Sequence, residues 1–152
     1  MSEDKKIIDV VEIMEKIPHR YPMLLVDRIH EIHEKGCTGI KNVTINESIF
    51  QGHFPGAPVF PGVLTIEAMA QTAGAFVMYE MGGKSENKLV YFMSIDEVKF
   101  RKTIVPGDRV SLEVIKIKQR GNVWKFQGYA KVEGQVCAQA VFSAMIIDKS
   151  GK

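Results

Sequence analysis

The chain has 152 residues, of which 45% are hydrophobic and 25% are charged, and its formal net charge is +2 at pH 7. Such values are typical of one globular domain and exclude a disordered chain. The charge is too small for a nucleic-acid-binding protein, and no basic stripe is interleaved with aromatic residues. We therefore expect a single domain over residues 1–152 that binds no nucleic acid.

The cellular compartment is indicated by the N-terminal residues, the longest apolar segment and the cysteines. The first residues, MSEDKK, lack the apolar core of a secretory signal. Residues 63–81 have the length of a membrane span, but Glu67 and Gln71 interrupt them, which predicts a buried helix instead. Cys37 and Cys137 lack CxxC or metal-ligand spacing, and two unpaired thiols favour the cytoplasm.

Two helices and one irregular segment are predicted. Apolar residues recur at helical spacing over residues 7–16, and Pro18 ends that helix. Residues 51–62, QGHFPGAPVFPG, contain too many prolines and glycines for regular structure. The long apolar helix follows directly, and Gly82 with the next glycine ends it.

Six strands are predicted, and short turns connect most of them. They span residues 23–32, 37–45, 89–100, 109–118, 123–132 and 136–147. Short turns make neighbouring strands antiparallel, and the last strand is apolar on both faces, which favours an interior position. One sheet of about six strands must therefore wrap around one apolar helix, with a second subunit covering the rest. This is the hot-dog architecture, an α+β fold.

His53 is the one ionisable residue of the irregular segment, beside Phe54 and Pro55. These neighbours hold the imidazole in a fixed, poorly hydrated place. Histidine is the side chain that exchanges protons most readily near neutral pH, which suits a general base. The alternative is a turn histidine that bonds only to the backbone.

Glu67 is the second candidate, on the second turn of the apolar helix. Burial of a carboxylate without partners favours its protonated form, which suits a general acid. The alternative is complementation of the helix N-terminus, an effect that fades beyond the first turn. Gln71 lies one turn later on the same face, where it can bond to a carboxyl group, orient a ligand or lie in an interface.

The start of the long helix is a third candidate. The N–H groups of Gly62 and Val63 have no intrahelical partners and carry partial positive charge, which predicts an oxyanion hole. An ordinary N-terminal cap is an equal alternative. His30 and His33 face opposite ways on a strand, so no metal site is predicted.

Several motifs, in chain order, resemble 3-hydroxyacyl-[acyl-carrier-protein] dehydratases of the FabZ type. The motifs are Pro18-His19-Arg20-Tyr21-Pro22, Leu24-Leu25-Val26-Asp27-Arg28, Gly52-His53-Phe54-Pro55-Gly56-Ala57-Pro58-Val59-Phe60-Pro61-Gly62-Val63, Glu67-Ala68-Met69-Ala70-Gln71, Lys99-Phe100-Arg101 and Pro106-Gly107-Asp108. They span almost the whole chain.

The resemblance implies a hot-dog homodimer, often assembled as a trimer of dimers, with two sites at the interface. It implies that His53 of one chain and Glu67 of the other dehydrate (3R)-3-hydroxyacyl-[acyl-carrier-protein] to the trans-2-enoyl thioester in type II fatty acid biosynthesis. No cofactor or metal is implied. The related dehydratase-isomerases carry aspartate at the helix position, so glutamate points to the plain dehydratase, with isomerisation left open.

The partner that the resemblance implies is an acidic acyl carrier protein. Lys99, Arg101 and Lys102 are then candidates for its contact surface, against the alternative of merely solvated charges. The acyl tail needs a dry channel, for which the helix face with Ala70, Ala73, Phe76 and Val77 is the predicted lining. Two other functions remain open, a hot-dog acyl thioesterase and a non-catalytic acyl-thioester-binding module.

Overall fold

A computed structural model describes residues 6–83 and 88–149 and has one six-stranded antiparallel sheet around one long helix. The strand order is β1-β2-β4-β5-β6-β3. The elements are α1 (Val10–Lys16), β1 (Arg28–His33), β2 (Gly36–Asn42), a 3-10 helix (Ser48–Gln51), α2 (Gly62–Glu80), β3 (Lys88–Phe100), β4 (Arg109–Arg120), β5 (Val123–Val132) and β6 (Gln135–Asp148). The predicted hot-dog α+β fold is confirmed.

Helix α2 is apolar nearly all round, so the sheet must enclose it. Its residues from Ala68 to Met78 are all buried. The sheet approaches the helix so closely that two of its glycines have no room for a side chain: a Cβ on Gly39 would lie 2.4 Å from Thr72, and one on Gly128 would lie 2.7 Å from Met69. Burial of each large apolar side chain contributes roughly 1.5–3 kcal/mol, so this enclosure is the main stabilising feature of the fold.

The prediction of a strand over residues 23–32 is wrong for its first five residues, because β1 begins at Arg28. At Met23 and Leu25 the backbone bonds to a side chain of α2 instead of a neighbouring strand: the Leu25 N–H donates to Gln71 Oε1 and the Met23 carbonyl accepts from Gln71 Nε2. The first helix also starts later than predicted, at Val10, because Asp9 caps its N-terminus.

The predictions for the last two strands are confirmed. In β5, Trp124, Phe126 and Ala130 are buried on the helix side, and β6 lies inside the sheet between β5 and β3. Strand β3 is an edge strand, yet most of its exposed residues are large and apolar.

The part of the chain that the structure describes contains no candidate membrane-spanning helix and no candidate metal site, and its two cysteines are unpaired. None of its helices combines the length and apolarity needed to cross a bilayer. These residues also contain no cluster of three or more histidine, cysteine or acidic side chains that suits a metal ion. Cys37 and Cys137 are free and buried, and burial raises the pKa of the Cys37 thiol well above its ordinary value.

Candidate active site

The predicted irregular segment is a tight loop. Backbone hydrogen bonds hold both the N–H group and the carbonyl of His53. The His53 N–H donates to the Ile49 carbonyl at 3.1 Å, and its carbonyl accepts from the Val59 N–H at 3.0 Å. Between them, Phe54 and Ala57 exchange backbone hydrogen bonds of 3.0 and 2.8 Å. Between the 3-10 helix, which ends at Gln51, and α2, which begins at Gly62, the loop therefore has no strand or helix, but its backbone is hydrogen-bonded where the histidine lies.

The imidazole of His53 is oriented by a carbonyl. Its Nδ1 lies 2.7 Å from the Val59 oxygen, and the ring stacks on Phe54 with a centroid distance of 3.9 Å. A carbonyl oxygen only accepts hydrogen bonds, so Nδ1 carries the proton and Nε2 of the neutral ring is an unprotonated lone pair. The local structure therefore favours the tautomer that can accept a proton at Nε2.

His53 opens into a cleft of about 460 Å³, within the range of small-ligand sites. The walls come from the His53 loop, the start of α2, the end of β3 and the segment after it. The lining residues are His53, Val59, Phe60, Pro61, Gly62, Val63, Thr65, Phe100, Arg101, Lys102, Thr103, Ile104 and Ala138. The cleft is mostly apolar, with basic side chains at its rim.

The start of α2 forms one wall of this cleft. The Leu64 and Thr65 N–H groups bond to the Pro61 carbonyl, while those of Gly62 and Val63 have no hydrogen bond to any described residue. Gly62 carries no side chain, which in the sequence leaves room for a ligand beside its N–H group. In the structure that room is occupied by a ring, because a Cβ on Gly62 would lie 2.6 Å from Phe100.

Glu67 is held by the side chain one turn later. Gln71 Nε2 donates to Glu67 Oε2 at 2.7 Å, so of the roles left open for Gln71 the structure favours carboxyl bonding. Gln71 is 1% exposed and is itself anchored by two backbone bonds, from Leu25 N–H at 2.8 Å and to the Met23 carbonyl at 2.6 Å. The carboxyl group is therefore fixed by a buried amide that cannot rotate.

A residue without a predicted role also reaches Glu67. His19 Nε2 lies 3.4 Å from Glu67 Oε2, and the two side chains are 18% and 20% exposed. The sequence contained one signal for it, a histidine confined between Pro18 and Pro22. Spacing in the sequence alone could not place His19 against Glu67, which lies 48 residues further along the chain.

Within one chain, His53 and Glu67 face different cavities. His53 lines the large cleft, whereas Glu67 lines a narrow one of about 20 Å³ together with His19, Gln71 and Phe92. One chain by itself therefore does not bring the two predicted catalytic side chains around a common space.

Comparisons with known proteins place the chain in a family. A profile described as FabA-like domain matches residues 17–141. Proteins named 3-hydroxyacyl-[acyl-carrier-protein] dehydratase FabZ are 58% identical over 142 residues in Sinorhizobium medicae and 54% identical over 145 residues in Paramagnetospirillum magneticum. These alignments cover 93% and 95% of this chain, and 91% and 90% of those proteins.

The chain belongs to the FabA-like family, with the FabZ dehydratases.

The fold of this FabA-like chain is also that of a solved relative, from the dehydratase heterocomplex ApeI:P of Xenorhabdus doucetiae. The TM-score is 0.78 at 17% sequence identity, and the match covers 91% of this chain and 92% of that one. At this identity the likeness shows the fold alone.

Of the three basic residues predicted to contact a carrier protein, two line the cleft and one does not. Arg101 and Lys102 line the cleft and bond to Gln139 and Gln135 of β6, at 3.1 and 3.2 Å. Lys99 is exposed on β3 and does not line the cleft.

The predicted acyl lining faces a row of narrow cavities along α2. The first contains Glu67 and Ala70, the second contains Ala73 and Val77, and the third contains Phe76 and Val77, with volumes of about 20, 10 and 90 Å³. Neighbouring cavities share wall residues, so they follow one another along the same helix face.

Proposed function

We propose that this chain is a hydro-lyase that converts (3R)-3-hydroxyacyl-[acyl-carrier-protein] to the trans-2-enoyl thioester in type II fatty acid biosynthesis. The observation that carries the proposal is that the chain holds both a candidate base and a candidate acid in fixed orientations. A neutral imidazole with a bare Nε2 opens into an apolar cleft, and a carboxyl group is fixed by Gln71 on the central helix. The names of the closely similar relatives support the same reaction.

His53 acts as the base. Removal of water needs a group that takes the C2 proton of the thioester, since this proton is only weakly acidic. The Val59 carbonyl keeps the His53 proton on Nδ1, so Nε2 can accept. Such a positioned base contributes roughly 10²–10⁴-fold to the rate.

Glu67 acts as the acid. Hydroxide is a poor leaving group, so the 3-hydroxyl must receive a proton as its bond to C3 breaks. The protonated Glu67 carboxyl supplies it, and the hydroxyl departs as water while C2 and C3 form the double bond. The glutamate at this position favours dehydration without isomerisation.

The enolate-like charge on the thioester oxygen is stabilised at the start of α2. The N–H groups of Gly62 and Val63 lie at a helix N-terminus, with its partial positive charge, and both residues line the cleft. Loss of one such donor costs about 3–4 kcal/mol of transition-state stabilisation in other enzymes. No metal or cofactor enters this mechanism.

Two copies of the chain form each site. Strand β3 has 13 residues, bonds to β6 on one side, and exposes Tyr91, Met93 and Ile95 to 52%, 53% and 43%. A long apolar edge strand of this kind needs a covering partner. A second copy of β3 covers it and continues the sheet, giving the homodimer.

The two cavities support this pairing, because both lie against β3. The Glu67 cavity contains Phe92, and the His53 cleft contains Phe100. Antiparallel self-pairing of β3 centred near Asp96 sets position 92 of one copy opposite position 100 of the other. The Glu67 cavity of each chain then adjoins the His53 cleft of its neighbour. Three such dimers are the proposed larger assembly.

The acidic acyl carrier protein delivers the substrate to the rim of the cleft. Arg101 and Lys102 stand there, and Lys99 lies two residues before Arg101 on the exposed strand. Their charge steers an acidic partner, and the acyl tail runs along the α2 face with Ala70, Ala73 and Val77. The two free cysteines support a cytoplasmic setting.

The test is incubation of the purified chain with a 3-hydroxyacyl-carrier thioester, with mass and ultraviolet detection of the conjugated enoyl product. A thiol-trapping reagent runs in parallel. Enoyl product without free thiol is expected. Thiol release instead identifies an acyl thioesterase, and binding without turnover identifies an acyl-thioester-binding module, so either result overturns the proposal.

A further inference from the structure

The segment that carries His19 is held in place by Arg20. The Arg20 guanidinium donates to the carbonyls of Met14, Ile17 and His19, at 2.9, 3.0 and 2.7 Å. Three bonds to the end of α1 and to the segment itself leave little freedom to the backbone before β1. The His19 ring is therefore set beside Glu67 by its own segment and needs no bond to Glu67 to stay there.

Gln71 fixes which Glu67 oxygen is an acceptor. Its Oε1 receives the Leu25 N–H, so the opposite end of the amide must be the NH₂ group, which donates to Met23 and to Glu67 Oε2. In the protonated carboxyl group that the proposed reaction requires, the oxygen that accepts from this donor is the carbonyl oxygen. The proton of the acid therefore belongs on Glu67 Oε1.

The His19 ring faces the same oxygen. Its Nε2 is 3.4 Å from Glu67 Oε2, while its Nδ1 is buried and has no hydrogen-bond partner among the described residues. Two lone pairs facing each other across this distance repel, so the arrangement suits the tautomer with the proton on Nε2. A second proton on Nδ1 would be a buried N–H without an acceptor, which is unfavourable. The neutral ring with Nε2–H is the form that fits.

We propose that His19 is a positioning residue for Glu67, whose neutral Nε2–H, together with Gln71, keeps Oε2 as an acceptor and leaves the transferable proton on Oε1. This inference rests on the proposed dehydration. As Oε1 gives its proton to the departing hydroxyl, negative charge develops on the carboxylate. Oε2 then has two donors, His19 and Gln71, and among the described residues no lysine or arginine forms an ion pair with Glu67 that would hold it ionised before the reaction.

Three substitutions of His19 test whether a hydrogen-bond donor is needed at the position of Nε2. Glutamine places an amide nitrogen near the place of Nε2, asparagine places it near Nδ1, and leucine has no donor. We expect His19→Gln to keep kcat within about threefold of wild type. His19→Asn and His19→Leu should lose about tenfold in kcat, the factor that corresponds to about 1.4 kcal/mol of activation free energy, with KM unchanged.

The matched control is His33→Leu, which removes an exposed histidine at the end of β1 and should leave kcat unchanged. Thermal unfolding and size-exclusion profiles of each variant report its folding, and the near-isosteric pair His19→Gln and His19→Asn carries the test if His19→Leu does not fold. The inference is overturned if His19→Asn has wild-type kcat, if His19→Gln is as impaired as His19→Asn, or if the loss lies in KM. A wild-type chain that forms no enoyl product overturns the proposed function instead.

Discussion

The loop that carries His53 and the helix that carries Glu67 position their side chains in different ways. His53 lies in a segment without helix or strand, and backbone groups hold both its main chain and its ring. Glu67 lies on a regular helix, and side chains hold its carboxyl group, Gln71 by a hydrogen bond and His19 within 3.4 Å. The loop therefore needs only nearby residues, whereas the helix site depends on a segment more than 40 residues away.

This difference has a consequence for mutation. A substitution at His53 removes the proposed base from a loop that is otherwise held by its backbone hydrogen bonds, so the fold should persist. A substitution at Gln71 changes the carboxyl group and also releases the Met23 and Leu25 backbone. Catalysis and stability should thus separate at His53 and remain linked at Gln71.

The largest expected effect is loss of catalysis at either side chain. His53→Ala should lower kcat by about 10²–10⁴-fold, because the base is removed, and Glu67→Gln should do the same because an amide has no proton to give. Both variants should keep the wild-type unfolding temperature and oligomeric size. Steady-state kinetics with a 3-hydroxyacyl-carrier thioester measure the loss, and His33→Ala is the control. Turnover close to wild type in either variant would contradict the assignment.

Mixing the two inactive variants tests whether the His53 and the Glu67 of one active site come from different chains. In a dimer of one His53→Ala and one Glu67→Gln subunit, one site has both defects and the other has none. Random exchange should therefore restore about a quarter of wild-type activity, as two-fold symmetry requires. Subunits with different affinity tags allow the mixed dimers to be isolated. Isolated mixed dimers with no activity would show that each chain builds its own site.

Gln71→Leu should reduce stability as well as activity. It leaves the buried Leu25 N–H and the partly buried Met23 carbonyl without partners, which costs about 1–3 kcal/mol of unfolding free energy. For a chain of this size that lowers the unfolding temperature by a few degrees, and calorimetry measures it. Gln119→Leu is the control, since Gln119 is exposed and makes one 3.4 Å bond. Unchanged stability in Gln71→Leu would mean that the amide anchors nothing.

Much of this architecture could be predicted from local pattern. The turn residues around β5 give its bounds, residues 123–132, without error, and the apolar run gives α2 within one residue at each end. His53 and Glu67 could be selected because each is a polar residue in surroundings that disfavour it. These signals depend on neighbours in the chain.

The rest depends on contacts between distant residues, which no local pattern reports. Residues 23–27 look like a strand in the sequence, yet the backbone of Met23 and Leu25 bonds to Gln71 of α2. His19 faces Glu67 of the same helix. The placement of β3 beside β6 follows a crossover, and turn lengths do not determine it.

The smallest expected effect concerns Gly62, at the point where the loop joins the helix. Gly62→Ala places a Cβ against the Phe100 ring, but Phe100 is 56% exposed and can turn away, so the loss of stability should be below about 1 kcal/mol. Activity should fall more clearly, because the displaced ring moves into the cleft beside the Gly62 and Val63 N–H groups.

Phe100→Ala tests whether the effect of Gly62→Ala comes from the Phe100 ring or from the start of the helix itself. In the double variant with Gly62→Ala the steric conflict is gone, so the two changes should couple by about 0.5–1 kcal/mol in a double-mutant cycle of kcat/KM. Thr103 also lines the cleft but is not among the nearest neighbours of a Cβ on Gly62, so Thr103→Ala is the control and should not couple with Gly62→Ala. Strict additivity of Gly62→Ala and Phe100→Ala would show that the ring is not what the glycine accommodates, and that its missing side chain serves the ligand directly.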